Sequence, residues 1–302
     1  MASADDPSSE TRQAESPLRP DRPVELEDWL NLRLYHPLSW RMALAFKDTV
    51  ITPNTLSVLG GVTVIIAALI YTYTSGPLWA LVALALHMSW HVIDGADGDL
   101  ARLTGSASEM GEVIDGVCDY ASHIVLYSLL ASVMARDWGA WGATAMVLAG
   151  FARAFQAVFY ETQRRQYLFW VHGKIWLRVS NETPHARQGL WRAPVRAYLW
   201  VGETLATNGP RLDDALSRLS QKDRAQANAL MRKTVLPVVQ RLSILSANTR
   251  TLVIGIAMIL GAPALIIFFE LALLSVLTLV FMRRTRRAID EVIAQLEPRS
   301  SR

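Results

Sequence analysis

The sequence predicts an all-α integral membrane protein, and three observations carry that reading. Apolar residues make up 51% of the 302-residue chain. Six stretches are close to the roughly 20 residues that a membrane-crossing helix needs. Two adjacent stretches also carry aspartates spaced as they would be on one helix face, a costly arrangement in lipid that asks for a function. The 30 Lys+Arg against 27 Asp+Glu leave a formal charge of only +3, so no overall field argues for a nucleic-acid partner. Cys118 is the single cysteine, which excludes an intrachain disulfide framework.

Residues 1–24 are polar and rich in Pro and Ser with no apolar core, so they read as a disordered tail and not as a secretory signal. Residues 25–50 mix Trp29, Leu30, Leu34, Trp40, Met42 and Phe46 with Arg33, Arg41 and Lys47, and break at Pro37. Two short amphipathic pieces lying in the headgroup layer fit that mixture, and a soluble helical cap is the alternative.

The expected spans are 55–74, 77–98, 111–135, 138–162, 242–261 and 263–282, the first four forming a unit over 51–162 that holds the aspartates. Asn248, Thr249 and Arg250 interrupt the fifth, leaving a short apolar run. Gly261-Ala262-Pro263 then predicts a tight turn into the sixth. Between them, 163–241 reads as a cytoplasmic helical insert with Trp170, Trp176, Trp191 and Trp200 among many arginines, and 283–302 as a basic cytoplasmic tail opening on RRTRR. Lys and Arg concentrate before residue 55, in 163–241 and after 282, while the short links near 75, 136 and 262 carry almost none. The positive-inside rule therefore places both termini and the insert in the cytoplasm, which requires an even number of spans.

The chemistry lies between 94 and 119, which reads DGADGDLARLTGSASEMGEVIDGVCD. At 100° per residue, Asp94, Asp97, Gly98 and Ala101 share one helix face, and Gly111, Asp115, Asp119 and Ser122 share another on the next span. All-oxygen ligands suit Mg²⁺ or Mn²⁺ and argue against zinc. A pair of such ions can clamp a diphosphate and stabilise both the attacking and the leaving oxygen of an in-line displacement. Gly98, Ala101 and Gly111 leave room for a nucleotide beside the helix backbones, and Arg102 adds a fixed positive charge suited to phosphate.

The run D-x2-D-G-x2-A-R-x8-G-x3-D-x3-D, met at Asp94, Asp97, Gly98, Ala101, Arg102, Gly111, Asp115 and Asp119, resembles the signature of the CDP-alcohol phosphotransferases. Thr52-Pro53-Asn54-Thr55-Leu56-Ser57 resembles the nucleotide-side element of the same family, and the likeness does not clearly cover 163–241. The resemblance implies transfer of a substituted phosphoryl group from a CDP-linked donor to an alcohol or phosphorylated alcohol, with release of CMP, in phospholipid or other polar-lipid synthesis. It implies that Asp94, Asp97 and Asp115 ligate the metals, with Asp119 near the second ion and acting as base on the acceptor hydroxyl. It further implies that Asn54, Ser57, Gly98, Ala101 and Arg102 cradle CDP, with Gly111 giving it space. Membrane lipids and a second copy of the chain complete the expected partners, and the active site is expected on the cytoplasmic side. The wording GEVIDGVCD is similar to the choline and ethanolamine branch of the family, whereas NLRLYHPLS followed by ITPN is similar to the inositol-phosphate branch.

A carboxylate-lined cation pathway is the competing reading of the aspartates, but such a path needs no Gly, Ala and Arg at these spacings. His123 follows Asp119 by one turn and either orients it, touches the acceptor or is a satisfied polar residue, while Tyr127 reads as packing and Cys118 as a small buried group. Arg153 lies in the middle of the fourth span and requires an anion. An acceptor phosphate, the CDP diphosphate, Glu270 and Asp99 are the candidates. Arg164, Arg165, Lys174 and Arg178 read as interfacial anchors or as an acceptor site, and Asp99 and Glu112 as solvated or supporting groups.

Overall fold

The computed structural model describes residues 23–174, 200, 202, 204–206 and 209–300, and the side chains of that last stretch up to residue 296. The expected tail therefore lies almost entirely outside the described residues, as do Trp176, Arg178 and Trp191. Every regular element among the described residues is helical.

A 3₁₀ turn at Val24–Leu26 and a π-helical turn at Asn31–Tyr35 lead into α1 (His36–Phe46). The π-helical turn passes directly into α1, with Pro37 in the first turn of α1, so the helical backbone runs on through the proline where a break had been expected. Next come α2 (Pro53–Tyr73), α3 (Pro77–Leu103) and α4 (Glu109–His172). Within the expected insert lie α5 (Gly209–Ser217), α6 (Gln221–Thr234) and α7 (Leu236–Arg241), and α8 (Ala247–Ile259) follows it. Finally α9 (Ala264–Ile267) runs through a π-helical stretch at Phe268–Leu274 into α10 (Ser275–Ser300).

Five helical stretches among the described residues are long and apolar enough to cross a membrane: Pro53–Tyr73, Pro77–Leu103, Met110–His172, Gln221–Ile259 and Ala264–Leu296. Six spans were expected, and the difference lies in α4. Its 64 residues contain one non-helical position, Gly139, at φ 59° and ψ −150°. The helix folds back there. A Cβ on Gly150 would lie 3.1 Å from Tyr127, and Arg165 donates to Glu112 at 2.6 Å, whereas a straight helix would hold the latter pair about 80 Å apart. The element is thus an antiparallel hairpin of two arms, and glycine occupies the position that needs a left-handed backbone.

Two apolar layers result. Val64, Tyr71, Ala83, Trp90, Leu126, Leu130, Met146, Ile254 and Ile266 bring α2, α3, both arms of α4, α8 and α9 into one core. At one end a second core joins Leu26, Tyr167, Trp170, Leu212, Met231, Val239, Ile289 and Val292, so that the end of α4, α5 to α7 and the end of α10 form a helical cap. The N-terminal segment is pinned to this cap. Tyr167 Oη donates to Glu25 Oε1 at 2.9 Å, His172 lies 2.7 Å from the same carboxylate, and Gln240 Nε2 donates to the Glu25 main-chain oxygen at 2.8 Å.

Candidate metal centre and adjoining cavity

Three helix ends position the candidate site. Thr52 caps α2, its hydroxyl accepting from the Thr55 N–H at 3.2 Å, with Pro53 in the first turn. Ser108 caps α4 by accepting from the Gly111 N–H at 3.1 Å. Between them α3 ends at Leu103, where Gly105 at φ 66° turns the chain and the Ser106 N–H returns to the Ala101 oxygen at 2.9 Å. Asn54 and Gly111 are neighbours, since a Cβ on Gly111 would lie 3.8 Å from Asn54 Oδ1. Two helix N-termini therefore open beside the aspartates, an arrangement that favours phosphate.

One carboxylate oxygen from each of Asp94, Asp115 and Asp119 lies within 4.8 Å of the other two. Asp97 is buried beside them, against the carboxyl of Asp115, and accepts a 2.6 Å hydrogen bond from Ser57 Oγ. Trp90 Nε1 donates to Asp119 Oδ1 at 3.0 Å and fixes the direction in which that carboxylate points. Close packing makes this convergence possible. A Cβ on Gly61 would lie 3.4 Å from the Cys118 main-chain oxygen, so α2 and α4 meet along the strip that carries the acids. Cys118 itself is half-buried in that contact. Carboxylates packed this closely repel one another unless a cation lies between them, and an all-oxygen donor set matches the hard ions Mg²⁺ and Mn²⁺. The residues therefore fit the metal that the sequence implies.

The other expected site residues fall around this centre. A Cβ on Gly98 would lie 3.4 Å from the Arg102 guanidinium, which donates to Asp99 Oδ1 at 2.6 Å. Asp99 is buried and orients Arg102, so of the two roles expected for it the supporting one holds. Ala101 is half-buried on the same helix end. His123 is buried and its Nδ1 lies 2.8 Å from the Asp119 main-chain oxygen, so it touches the backbone of that residue and not its carboxylate. The His123 ring packs edge-on to Trp90 at 4.7 Å between centroids.

Arg153 is 8% exposed, and its Nε has no hydrogen-bond partner. Its guanidinium lies 5.9 Å from the Tyr127 ring centroid. Neither expected acid partner is available to it, because Glu270 is bonded to Arg250 and Asp99 to Arg102. Arg164 and Arg165 are held in ion pairs, Arg164 with Glu27 and Glu161 and Arg165 with Glu161 and Glu112.

A cavity of about 750 Å³ adjoins the acids, bounded by Asp94, Gly95 and Arg102 on one side and by the N-terminal segment, the end of α4 and the start of α8 on the others. Sequence reasoning missed this role of the N-terminal segment. Ser39 Oγ donates to the Val92 main-chain oxygen at 2.8 Å, and a Cβ on Gly95 would lie 2.6 Å from that hydroxyl, so α1 rests directly on α3. Trp90, His87 and His91 were also missed. The signal available was their spacing, since Trp90 precedes Asp94 by one helical turn and His87 and His91 are one turn apart. Tyr35 stacks on His91 at 4.8 Å between centroids. Burial and the nearby Asp28 carboxylate push the Tyr35 phenol up to about 12, which leaves it a hydrogen-bond donor at neutral pH.

Fold and site together define a helical integral membrane protein with a carboxylate centre at the ends of two long helices. Residues 50–175 match the family model of CDP-alcohol phosphatidyltransferase. Over 110 residues the chain is 29% identical to a phosphatidylinositol phosphate synthase of Mycobacteroides abscessus, covering 36% of this chain and 46% of that protein. Over 92 residues it is 34% identical to cholinephosphotransferase 1 of Danio rerio, covering 28% and 24%. An uncharacterized CDP-alcohol phosphatidyltransferase class-I family protein 2 of Dictyostelium discoideum is 29% identical over 109 residues, covering 34% and 26%. The chain thus spans less than half the length of each of these relatives.

Proposed function

We propose that this protein transfers a substituted phosphoryl group from a CDP-linked donor to an alcohol acceptor, releasing CMP, in phospholipid or polar-lipid synthesis. The convergence of Asp94, Asp115 and Asp119 within 4.8 Å, inside the stretch that matches the family, carries the proposal. In the reaction the acceptor hydroxyl oxygen bonds to the donor's β-phosphorus, the bond from that phosphorus to the bridging oxygen breaks, and CMP departs. The hydroxyl proton passes to the Asp119 carboxylate, which Trp90 holds in a fixed direction. Asp94, Asp97, Asp115 and Asp119 would hold Mg²⁺ or Mn²⁺, in our reading two ions, which when bound neutralise the diphosphate and the departing CMP. Asn54, Ser57, Gly98, Ala101, Arg102 and Gly111 form the CDP cradle in this reading. His123 lies near the acceptor, and the buried Arg153 guanidinium is available to a phosphate that the acceptor carries.

The same reading takes the two arms of α4 as separate crossings, giving six spans in all, with residues 25–50 at the headgroup layer and the cap, 163–241 and the site on the cytoplasmic side. The reversal at Gly139 and the distribution of Lys and Arg support it. Purified protein mixed with CDP-diacylglycerol or CDP-choline and an alcohol acceptor should release CMP only when Mg²⁺ or Mn²⁺ is present. Metal uptake into vesicles without CMP release would instead favour a cation pathway.

A further inference from the structure

Trp90 aims the Asp119 carboxylate, and a column of rings that begins in the N-terminal segment holds Trp90. Tyr35, at the end of the π-helical turn before α1, stacks on His91 with 4.8 Å between centroids and 23° between planes. The His91 ring in turn lies 4.5 Å from that of Trp90, tilted by 47°. Trp90 Nε1 then donates to Asp119 Oδ1 at 3.0 Å.

Each ring is also fixed from outside the column. One helical turn after Tyr35, Ser39 Oγ donates to the Val92 main-chain oxygen at 2.8 Å, which seats the N-terminal segment on the part of α3 that carries Trp90 and His91. His91 Nε2 lies 3.0 Å from Thr251 Oγ1, so α8 holds the imidazole from the side. Trp90 has the His123 ring edge-on at 4.7 Å, and a Cβ on Gly60 would lie 3.2 Å from Trp90 Cδ1, so α2 closes the edge beside the indole nitrogen. The indole N–H lies in the plane of its ring. Any swing of the ring therefore bends the hydrogen bond to Asp119, and such bonds weaken steeply when bent.

We infer that Tyr35 and His91 are positioning residues for Asp119: the N-terminal segment holds the imidazole against Trp90 and thereby sets the direction of the carboxylate. The inference rests on the transferase reading, in which Asp119 takes the acceptor's proton. Misdirecting a base slows the chemical step and leaves substrate binding nearly unchanged. His91 also borders the cavity beside the acids, so the test must separate action through Trp90 from contact with a substrate.

Three readouts on the full-length protein do so. In steady-state kinetics Tyr35→Leu and His91→Leu should each lower kcat by about three- to tenfold, the scale of one aromatic contact, and leave KM for donor and acceptor within about twofold of wild type. Tyr35→Phe, which keeps the ring, should restore most of that kcat. Thr251→Val keeps the volume but releases the imidazole, and it should also lower kcat, which keeps the column testable if a leucine variant does not fold. In a Trp90→Phe background, which lacks the indole N–H, Tyr35→Leu, His91→Leu and Thr251→Val should lower kcat no further, because effects that pass through one residue are not additive. The third readout needs no turnover. In metal-free protein labelled with 5-fluorotryptophan, the fluorine NMR line of Trp90 is the one that Trp90→Phe removes. Tyr35→Leu should shift or broaden that line, and Tyr35→Phe should leave it in place. A raised KM at unchanged kcat would mean that the rings touch a substrate and would overturn the inference. An unmoved Trp90 line in Tyr35→Leu, or equal kcat losses with and without the indole, would overturn it too. A Trp90 line that moves as expected, in a protein that releases no CMP from any CDP-linked donor, would instead overturn the transferase reading alone.

Discussion

Arg250 Nη1 donates to Glu270 Oε2 at 2.6 Å, and both side chains are 1% exposed. Around this pair Tyr127 Oη donates to Glu270 Oε1 at 3.0 Å, Arg250 Nη2 to Gln156 Oε1 at 2.9 Å, and Arg250 Nε to the Leu245 main-chain oxygen at 3.2 Å. The network ties α8 to both arms of α4 and to the π-helical stretch that follows α9. Removing one member leaves the other charged and unpaired in an apolar layer. Glu270→Gln or Arg250→Met should therefore cost about 3–5 kcal/mol of stability. The double variant Arg250→Met with Glu270→Leu should recover much of that loss, since an apolar pair of similar volume leaves nothing unpaired. Thermal unfolding in detergent measures both, and equal losses in single and double variants would mean that packing, not charge, governs the site.

At the aspartates the expected outcome is catalytic. Asp94→Asn, Asp97→Asn, Asp115→Asn and Asp119→Asn should each reduce CMP release by at least about a hundredfold while the melting temperature holds or rises, because each change relieves repulsion among packed carboxylates. Mn²⁺ binding followed by electron paramagnetic resonance separates the roles. Asp94→Asn and Asp115→Asn should weaken it, whereas Trp90→Phe should leave it intact and lower kcat by freeing the Asp119 carboxylate.

A pH limb belongs to Glu27, outside the long apolar helices. Burial alone would raise its pKa, but the hydrogen bond from His36 and the charge of Arg164 outweigh that and hold the carboxyl down to about 2, from an ordinary 4.5. The folded state therefore binds the proton less readily than the unfolded chain. The stabilisation is complete above about pH 4.5 and is lost as pH falls toward 2, amounting to roughly 3 kcal/mol. Melting temperature measured across that window should fall more steeply for wild type than for Glu27→Gln. Parallel slopes would show that another carboxylate governs the acid limb.

What was legible in the sequence follows from the range of each interaction. The aspartates declared themselves because acids at helical spacing are conspicuous among apolar residues, and their glycine and alanine neighbours are read from the same short stretch. The turn at Gly139 was legible only as a gap between two apolar runs, and its backbone continuity with both arms was not. Arg250 reads as a defect in a short span because its partner lies 20 residues further on, beyond a turn, and two of its other ties, to Gln156 and through Glu270 to Tyr127, come from a different helix. Asn31 with Asn248, 217 positions apart, left no local signature at all, and neither did the placing of α1 on Gly95. Contacts of this kind depend on which faces meet, and hydrophobic pattern constrains that only weakly.

Arg153 carries the last prediction. A guanidinium in an apolar layer is costly, and this one forms no ion pair with Glu270 or Asp99, which are taken by Arg250 and Arg102; the carboxylate whose charge it feels is Asp119, at the candidate metal centre. Its Nε lacks a partner, and the Tyr127 ring is too weak a counter-charge to offset burial by itself. A phosphate borne by the acceptor would supply what is missing, with the planar fork that guanidinium matches well. Arg153→Ala should therefore raise KM for a phosphorylated acceptor by about 10–100-fold, on the scale of a lost charge-assisted hydrogen bond of roughly 1.5–3 kcal/mol, and change KM for the CDP-linked donor little. Arg153→Lys should recover only part of the loss, since a point charge cannot form two parallel hydrogen bonds. Equal damage to both KM values would place the guanidinium on the CDP diphosphate. Unaltered kinetics, with a melting temperature raised by removal of the unpaired charge, would show that Arg153 meets no substrate anion at all.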